Sequence, residues 1–327
     1  MPYLTVPLAF RLTAVGFLSL LFSALLPAQE TFVAVGMEGK ILRSQNGIEW
    51  QDYSVDHDDR HFHALIWNGD EFMAVGEHAR AESGEGKEWD FHRTRDQSRD
   101  VAYGNEVYLS VGSGRNVEVN RSEDGRRWRP VELPSVFSQD VNLQSIEFGN
   151  GRFVAVADDG ASAVTLDGNE WIASQDGRNA PQFGAEVLFG GGRFLLIGGK
   201  THFISEDGQS WHPVEIDPER PVLGRSPKVW ADTYFLIIDP LSGKVYRSPD
   251  GVRWQIDQAQ GAFPKIGGIA FANSRFIGID YGDQLVASQD GLRWEVVRPR
   301  EKGADFSGQL QDVAAGLTTG SAEKAPD

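Results

Sequence analysis

Short apolar runs punctuate this chain at regular intervals. "FVAVG" at Phe32, "FMAVG" at Phe72, "YLSVG" at Tyr108, "FVAVA" at Phe153, "FLLIG" at Phe194, "FLIID" at Phe235 and "FIGID" at Phe276 are each bounded by Gly, Asn or Asp. Runs of this length, rich in β-branched and aromatic residues and closed by turn formers, predict strands buried on both faces. A second phrase precedes most of them: "FHALIWN" (Phe62), "SRDVAYG" (Ser98), "LQSIEFG" (Leu143), "GAEVLFG" (Gly184), "PKVWADT" (Pro227) and "IGGIAFA" (Ile266). A third follows them: "SQNGIEW", "SGEGKEW", "SEDGRRW", "TLDGNEW", "SEDGQSW", "SPDGVRW" and "SQDGLRW", ending at Trp50, Trp89, Trp128, Trp171, Trp211, Trp254 and Trp294.

The repeat length is about 40 residues, with four predicted antiparallel strands in each unit. One such sheet cannot bury its own faces. Stacked radially in a ring, it covers them against its neighbours. The expectation is an all-β, seven-bladed β-propeller over residues 29–316. The first unit lacks an opening strand, and "LQDVAAG" (Leu310–Gly316) at the far end matches "LQSIEFG" almost position for position. The C-terminal strand 310–316 is therefore expected to pair with the N-terminal strand and close the ring. Residues 317–327 read as a disordered tail.

In the third phrase, Gly takes a φ > 0 turn position and Asp accepts from nearby backbone amides. Asp124, Asp167, Asp207, Asp250 and Asp290 are read as such turn residues. Trp128, Trp171, Trp211, Trp254 and Trp294 are read as packing between blades, each indole N–H seeking a carbonyl. The phrase resembles a shortened Asp-box of the BNR type. The whole repeat is similar to those of secreted bacterial propellers grouped with the sialidase-like and photosystem II assembly factor-like families. That resemblance implies the propeller fold. It also implies, for a true sialidase, an arginine trio and a Phe/Tyr-Arg-Ile-Pro phrase. The phrase is absent, and nothing marks three arginines as a set.

Composition narrows the partners. The 327 residues carry a formal net charge of −16 and no cysteine. Long-range repulsion opposes nucleic acid and anionic surfaces. Thiol chemistry and zinc–thiolate sites are excluded. The apolar run Leu12–Leu26, followed by "PAQE", has the length of a signal-peptide core, with Ala28 at the cleavage position. Residues 1–28 are thus expected to direct the chain to the periplasm, cell envelope or exterior, an uncleaved anchor being the alternative. After leader removal no membrane insertion is expected.

Two clusters are candidate chemistry. Asp158, Asp159, Asp239, Asp280 and Asp283 sit at or after the ends of second strands, where other repeats carry Gly, and are candidates for an acidic arc that holds a ligand or calcium. His57, His61 and His63 in "HDDRHFH" are candidates for zinc or copper. No nucleotide loop or Ser–His–Asp set is present. The reading that follows is a monomeric, non-catalytic binding or scaffold propeller without a cofactor, which recognises a protein or carbohydrate on the face of its longer inter-blade loops. The alternatives are a glycan-acting hydrolase or lyase using Asp239, Asp280 or Asp283, and a photosystem-type assembly factor.

Overall fold

The computed structural model describes residues 28–55, 59–113, 117–133, 137, 142–174, 185–198, 201–300 and 309–319. Residues 1–27 of the expected leader 1–28, His57 and the residues from 320 on lie outside them. The chain folds into strands throughout. The first sheet contains β1 (Ala28–Gly36), β2 (Ile41–Ser44) and β3 (Gln51–Asp52). A second holds β4 (His61–Trp67), β5 (Phe72–Ser83), β6 (Asp90–Gly104), β7 (Val107–Ser113), β8 (Val117–Ser122) and β9 (Arg129–Val131). Next come β10 (Leu143–Gly149), β11 (Arg152–Ala157), β12 (Ser162–Thr165) and β13 (Trp171–Ala173). The fourth sheet is β14 (Glu186–Gly190), β15 (Arg193–Ile197), β16 (His202–Ser205) and β17 (His212–Val214). The fifth is β18 (Lys228–Trp230), β19 (Phe235–Ile238), β20 (Lys244–Ser248) and β21 (Gln255–Gln258). The sixth is β22 (Ile266–Ala272), β23 (Arg275–Asp280), β24 (Leu285–Ser288) and β25 (Glu295–Arg298). Last in sequence, β26 (Leu310–Thr319) joins the first sheet, whose order is β26-β1-β2-β3.

The expectation of seven separate four-stranded blades is corrected. The ring is built of six sheets, five with four strands and one with six. The reason lies in β5 and β6. The first half of β5 pairs with β4 and its second half with β6, with His78 at φ +60 between them. Asp90–Arg93 of β6 then pair with β5, while Ser98–Gly104 pair with β7. The stretch "RTRDQSRD" (Arg93–Asp100), between the second and third repeats, is continuous strand rather than one of the expected inter-blade loops, so these two repeats share one sheet.

The first strands of the repeats face one another around the axis. In cyclic order β26, β4, β6, β10, β14, β18 and β22 each touch the next, and β22 returns to β26. Around them, each second strand is buried on both faces. Phe32 and Ala34 of β1 pack with Ile277, Ile279 and Leu285 on one side, and Val33 and Val35 pack with Phe62 and Phe72 on the other. That explains the unalternating apolar runs.

An aromatic on the first strand meets the aromatic that opens the second. Trp67 lies 4.7 Å from Phe72, Phe148 4.8 Å from Phe153, Phe189 4.8 Å from Phe194 and Trp230 4.7 Å from Phe235, centroid to centroid. The glycine ending an inner strand then receives the next strand's ring. A Cβ at Gly104 would overlap Phe148, at Gly149 Phe189, at Gly190 Trp230, and at Gly316 Trp67. Gly316 belongs to the closing strand, so the seam between chain ends has the same joint as the others.

β26 pairs antiparallel with β1 from Leu310↔Gly36 to Thr319↔Ala28. The pairing thus runs three residues past the expected boundary at Gly316. Thr318 is buried, and its hydroxyl shares a 2.7 Å hydrogen bond with that of Thr31.

Removing residues 310–327 should therefore open the ring, deleting the buried Leu310 and Val313 side chains at a cost of about 1.5–3 kcal/mol each and uncovering Phe32 and Ala34 behind them, whereas removing 320–327 should leave the melting temperature nearly unchanged. Gly149→Ala should cost about 1–3 kcal/mol by forcing Phe189 aside. Thermal melts of the three variants check both expectations.

Candidate functional site

The inner strands enclose a channel. A cavity of about 510 Å³ at its mouth touches all seven, and is bordered by His63, Arg99, Asp100, Glu147, Lys228 and Asp312. Glu186, Arg225 and Tyr281 complete the mouth. Tyr281 follows β23, on the side from which the inner strands start, and is half-exposed. This is the face of the longer inter-repeat connections.

The acidic side chains along the channel have a structural task. Asp312 Oδ2 accepts from the Leu65 N–H at 2.8 Å, and Asp100 Oδ2 accepts from the Ile146 N–H at 2.9 Å. Ser145 Oγ occupies the corresponding place on β10 and accepts from the Val187 N–H at 3.3 Å. Each bond ties an inner strand to the next one round the ring. At the following seam Glu186 forms an ion pair with Lys228. The Lys228 ammonium also donates to the carbonyls of Gly224, at 2.6 Å, and Ser226, at 3.2 Å.

Surrounding protein on every side makes the channel a poor solvent for charge, although its acids border open space. Burial pushes the Asp100 carboxyl up to about 6, against the stabilising Ile146 and Val101 amides and the Ser145 hydroxyl. Burial and then the Asp100 charge push Glu147 up to about 8. Burial, with repulsion from Asp100 and Glu186, outweighs the Leu65 and Val313 amides and raises Asp312 to about 7. His63 is held below the ordinary imidazole value, by burial first and then by Arg99 and His61, against the pull of Glu77.

The structure does not bring the sequence-based candidates together as one site. Asp158 accepts from the Asn142 backbone at 3.1 Å and side chain at 2.8 Å, and Asp159 accepts from the Ala161 N–H at 2.9 Å. Buried Asp239 accepts from Leu241 and Ser242 and pairs with Arg220 Nε at 3.1 Å. Asp280 closes its turn through Gly282 and Gln284. Asp283, at φ +63, accepts from the Leu310 N–H at 2.8 Å. Asp159, Asp239 and Asp280 cap the turns they stand in, whereas Asp158 and Asp283 tie their turns to the starts of the inner strands at Asn142 and Leu310. At Gly36, Gly76 and Gly112, the corresponding strand ends, a Cβ would collide with the carbonyls of Gln309, His61 and Gln97. His61 Nδ1 accepts from the Glu38 N–H at 3.3 Å, while His63 faces the channel. Among the described residues no three His, Asp or Glu side chains converge to hold a metal.

The repeated turns show a consistent geometry. Ser205 Oγ accepts from the Gly208 N–H at 2.8 Å, and Asp207 Oδ1 accepts from Gln209 and Ser210 at 2.8 Å. Asp124, Asp167, Asp250 and Asp290 accept in the same way. Backbone amides hold Asp124, Asp167 and Asp250 below the usual carboxylate range. The indole N–H groups of Trp128, Trp171, Trp254 and Trp294 donate to the turn-glycine carbonyl. Trp211 is buried, and its indole N–H has no such partner among the described residues.

The channel residues were visible in sequence only as exceptions. Asp100, Glu147, Glu186, Lys228 and Asp312 are the charged positions inside otherwise apolar first-strand phrases. Nothing local says that these strands encircle a common axis.

Axial strands, radial sheets and a closing terminal strand define a β-propeller. No family model matches the chain, and no curated protein matches it in sequence, so the Asp-box likeness of the turns stays a resemblance. Solved structures share the fold. YCF48 bound to D1 peptide is 15% identical, with 91% of this chain and 99% of that one covered and a TM-score of 0.57. A catalytically inactive virginiamycin B lyase from Staphylococcus aureus with quinupristin is 9% identical over 76% of this chain and 87% of that one, with a TM-score of 0.62. The computationally designed Ika8 protein is 13% identical over 90% and 95%, with a TM-score of 0.56. At these identities the likeness is one of fold alone.

The shifted acids predict a specific pH response. A carboxyl whose folded value is raised contributes stability that is fully present below its unfolded value near 4 and lost as pH rises through the folded value. Ionisation of Asp100, Asp312 and Glu147, whose folded values are about 6, 7 and 8, should lower the melting temperature progressively from about pH 4 to 8. Glu147→Gln should flatten the upper part of that slope. The turn aspartates act oppositely, their contribution disappearing below about pH 4. Melting temperature against pH for both proteins checks the signs.

Proposed function

We propose that this chain is a non-catalytic binding propeller that holds a segment of a partner protein across the channel mouth. The observation that carries the reading is the mouth itself: a cavity of about 510 Å³ bordered by Tyr281, Arg225 and half-buried carboxylates, set in a ring whose strands are tied together at that level. A rigid frame keeps the ordering cost of binding low. The half-exposed Tyr281 supplies apolar area with a polar tip, the type of side chain that dominates protein contacts. That one structure of the same fold carries a bound peptide supports the reading.

The hydrolase alternative has less support, since Asp239 and Asp280 spend oxygens on their own turns and Asp283 accepts from the Leu310 N–H of β26. A photosystem-type assembly factor is a narrower form of the binding reading, with a specific partner. In this proposal the leader 1–28 exports the chain, which acts in the periplasm, envelope or exterior as a monomer without a cofactor.

The test is a capture experiment. The immobilised chain and a Tyr281→Ser, Arg225→Ser variant are exposed to envelope extract from the source cell, and bound proteins and sugars are identified. The expected result is a discrete protein retained by the unaltered chain and lost, by ten-fold or more, from the variant. Retention of a glycan alone, or equal capture by both forms, would overturn the assignment.

A further inference from the structure

A second cavity, of about 400 Å³, opens where β6 leaves the rim and turns toward the axis. Its lining holds Arg80, Arg93, Arg95 and Arg126, with His92 and a single carboxylate, Asp96. In a chain of net charge −16 this local reversal of sign stands out. Arg80 forms the floor. It is 4% exposed, pairs with Asp96, and lies with its guanidinium 4.0 Å from the Trp128 ring centroid. Asn120 Nδ2 donates to the same Asp96 at 3.2 Å.

The walls are held from behind. Buried Glu82 Oε1 is 2.8 Å from His92 Nε2 and accepts from Arg126 Nε at 3.0 Å, so one carboxylate outside the lining orients two of the cleft's side chains. Arg93 pairs with Asp59 where both are largely open to water, an arrangement that binds weakly and exchanges readily. Arg95 is exposed, with no carboxylate at ion-pair distance among the described residues. Between these two, Thr94 Oγ1 is buried and has no hydrogen-bond partner among the described residues.

We propose that this cleft binds a carboxylate-bearing peptide segment. One carboxylate accepts from the exposed Arg93 and Arg95 guanidinium groups, above the floor of Arg80 and Trp128. Guanidinium groups match carboxylates through two parallel N–H donors. The overall negative charge does not forbid this. At physiological salt, charges more than about 8 Å away are largely screened, whereas the cleft's arginines act at contact. The assignment stands on residues separate from the channel mouth, so either can fail alone.

The test uses the full chain and fluorescein-labelled tetraglutamate, followed by anisotropy. Tetralysine and inorganic phosphate serve as comparison probes, and Arg93→Gln, Arg95→Gln as the variant. Both positions lie outside the apolar core, and the variant's melting curve is measured alongside. Tetraglutamate should bind with an affinity that falls as salt rises, and tetralysine should not. The double variant should lose ten-fold or more in affinity with an unchanged melting temperature, while Tyr281→Ser, Arg225→Ser should bind as the unaltered chain does. Equal binding of tetralysine, or undiminished binding by the Arg93/Arg95 variant, would overturn the assignment. Displacement of tetraglutamate by equimolar phosphate would give the cleft to a free anion and overturn the peptide reading.

Discussion

The joint between successive inner strands is the contact on which this molecule depends. A glycine ends one strand so that the aromatic ring of the next can lie against its backbone, as at Gly149 and Phe189 or Gly190 and Trp230. The ring then packs on the aromatic that opens its own second strand. No sheet here could bury its two faces alone, so stability is a property of neighbours. A ring makes that arrangement unforgiving, because the last sheet must meet the first with the same geometry. Gly316 against Trp67, together with the long β1–β26 pairing, supplies that meeting.

The side chains that tie the inner strands also give the channel its character. A carboxylate that accepts a backbone N–H from the next strand must sit on the channel wall, where water is confined and other acids are close. Asp100, Glu147 and Asp312 are all raised for that reason. The channel is therefore both a seam and a polarised opening. Function at its mouth and stability of the ring draw on the same residues, whereas the cleft near Arg95 lies outside that arrangement and is free to vary independently.

Repeats two and three show how far a uniform repeat bends under local sequence. Elsewhere a turn separates second and third strands. Here "GEHA" reverses the pairing within β5 through one left-handed residue, His78. The charged stretch after Trp89 alternates exposed and covered residues, and extends as strand into the channel wall. The result is a six-stranded sheet in place of two four-stranded ones, and the Arg-lined cleft occurs where β6 makes that passage from rim to axis.

The sequence by itself determined the strand-rich repeat, the turn chemistry of Ser, Asp and Gly, the two-faced burial of the second strands, and the return of the C-terminal strand to the N-terminus. All of these are written in local period and in phrases that recur. The tertiary structure alone decided the number of sheets, the meaning of the charged positions in the first strands, and the fate of the acidic loop residues. Asp239 and Asp283 have the composition of a ligand site, yet their oxygens are taken by neighbouring amides. Asp100 and Asp312 look like stray charges in apolar strands, yet they border the same channel, two inner strands apart. The physical reason is distance along the chain. Capping, turns and alternation are settled within a few residues, whereas a channel or a seam joins strands some forty residues or more apart, and the charge on one wall takes its meaning from the wall opposite.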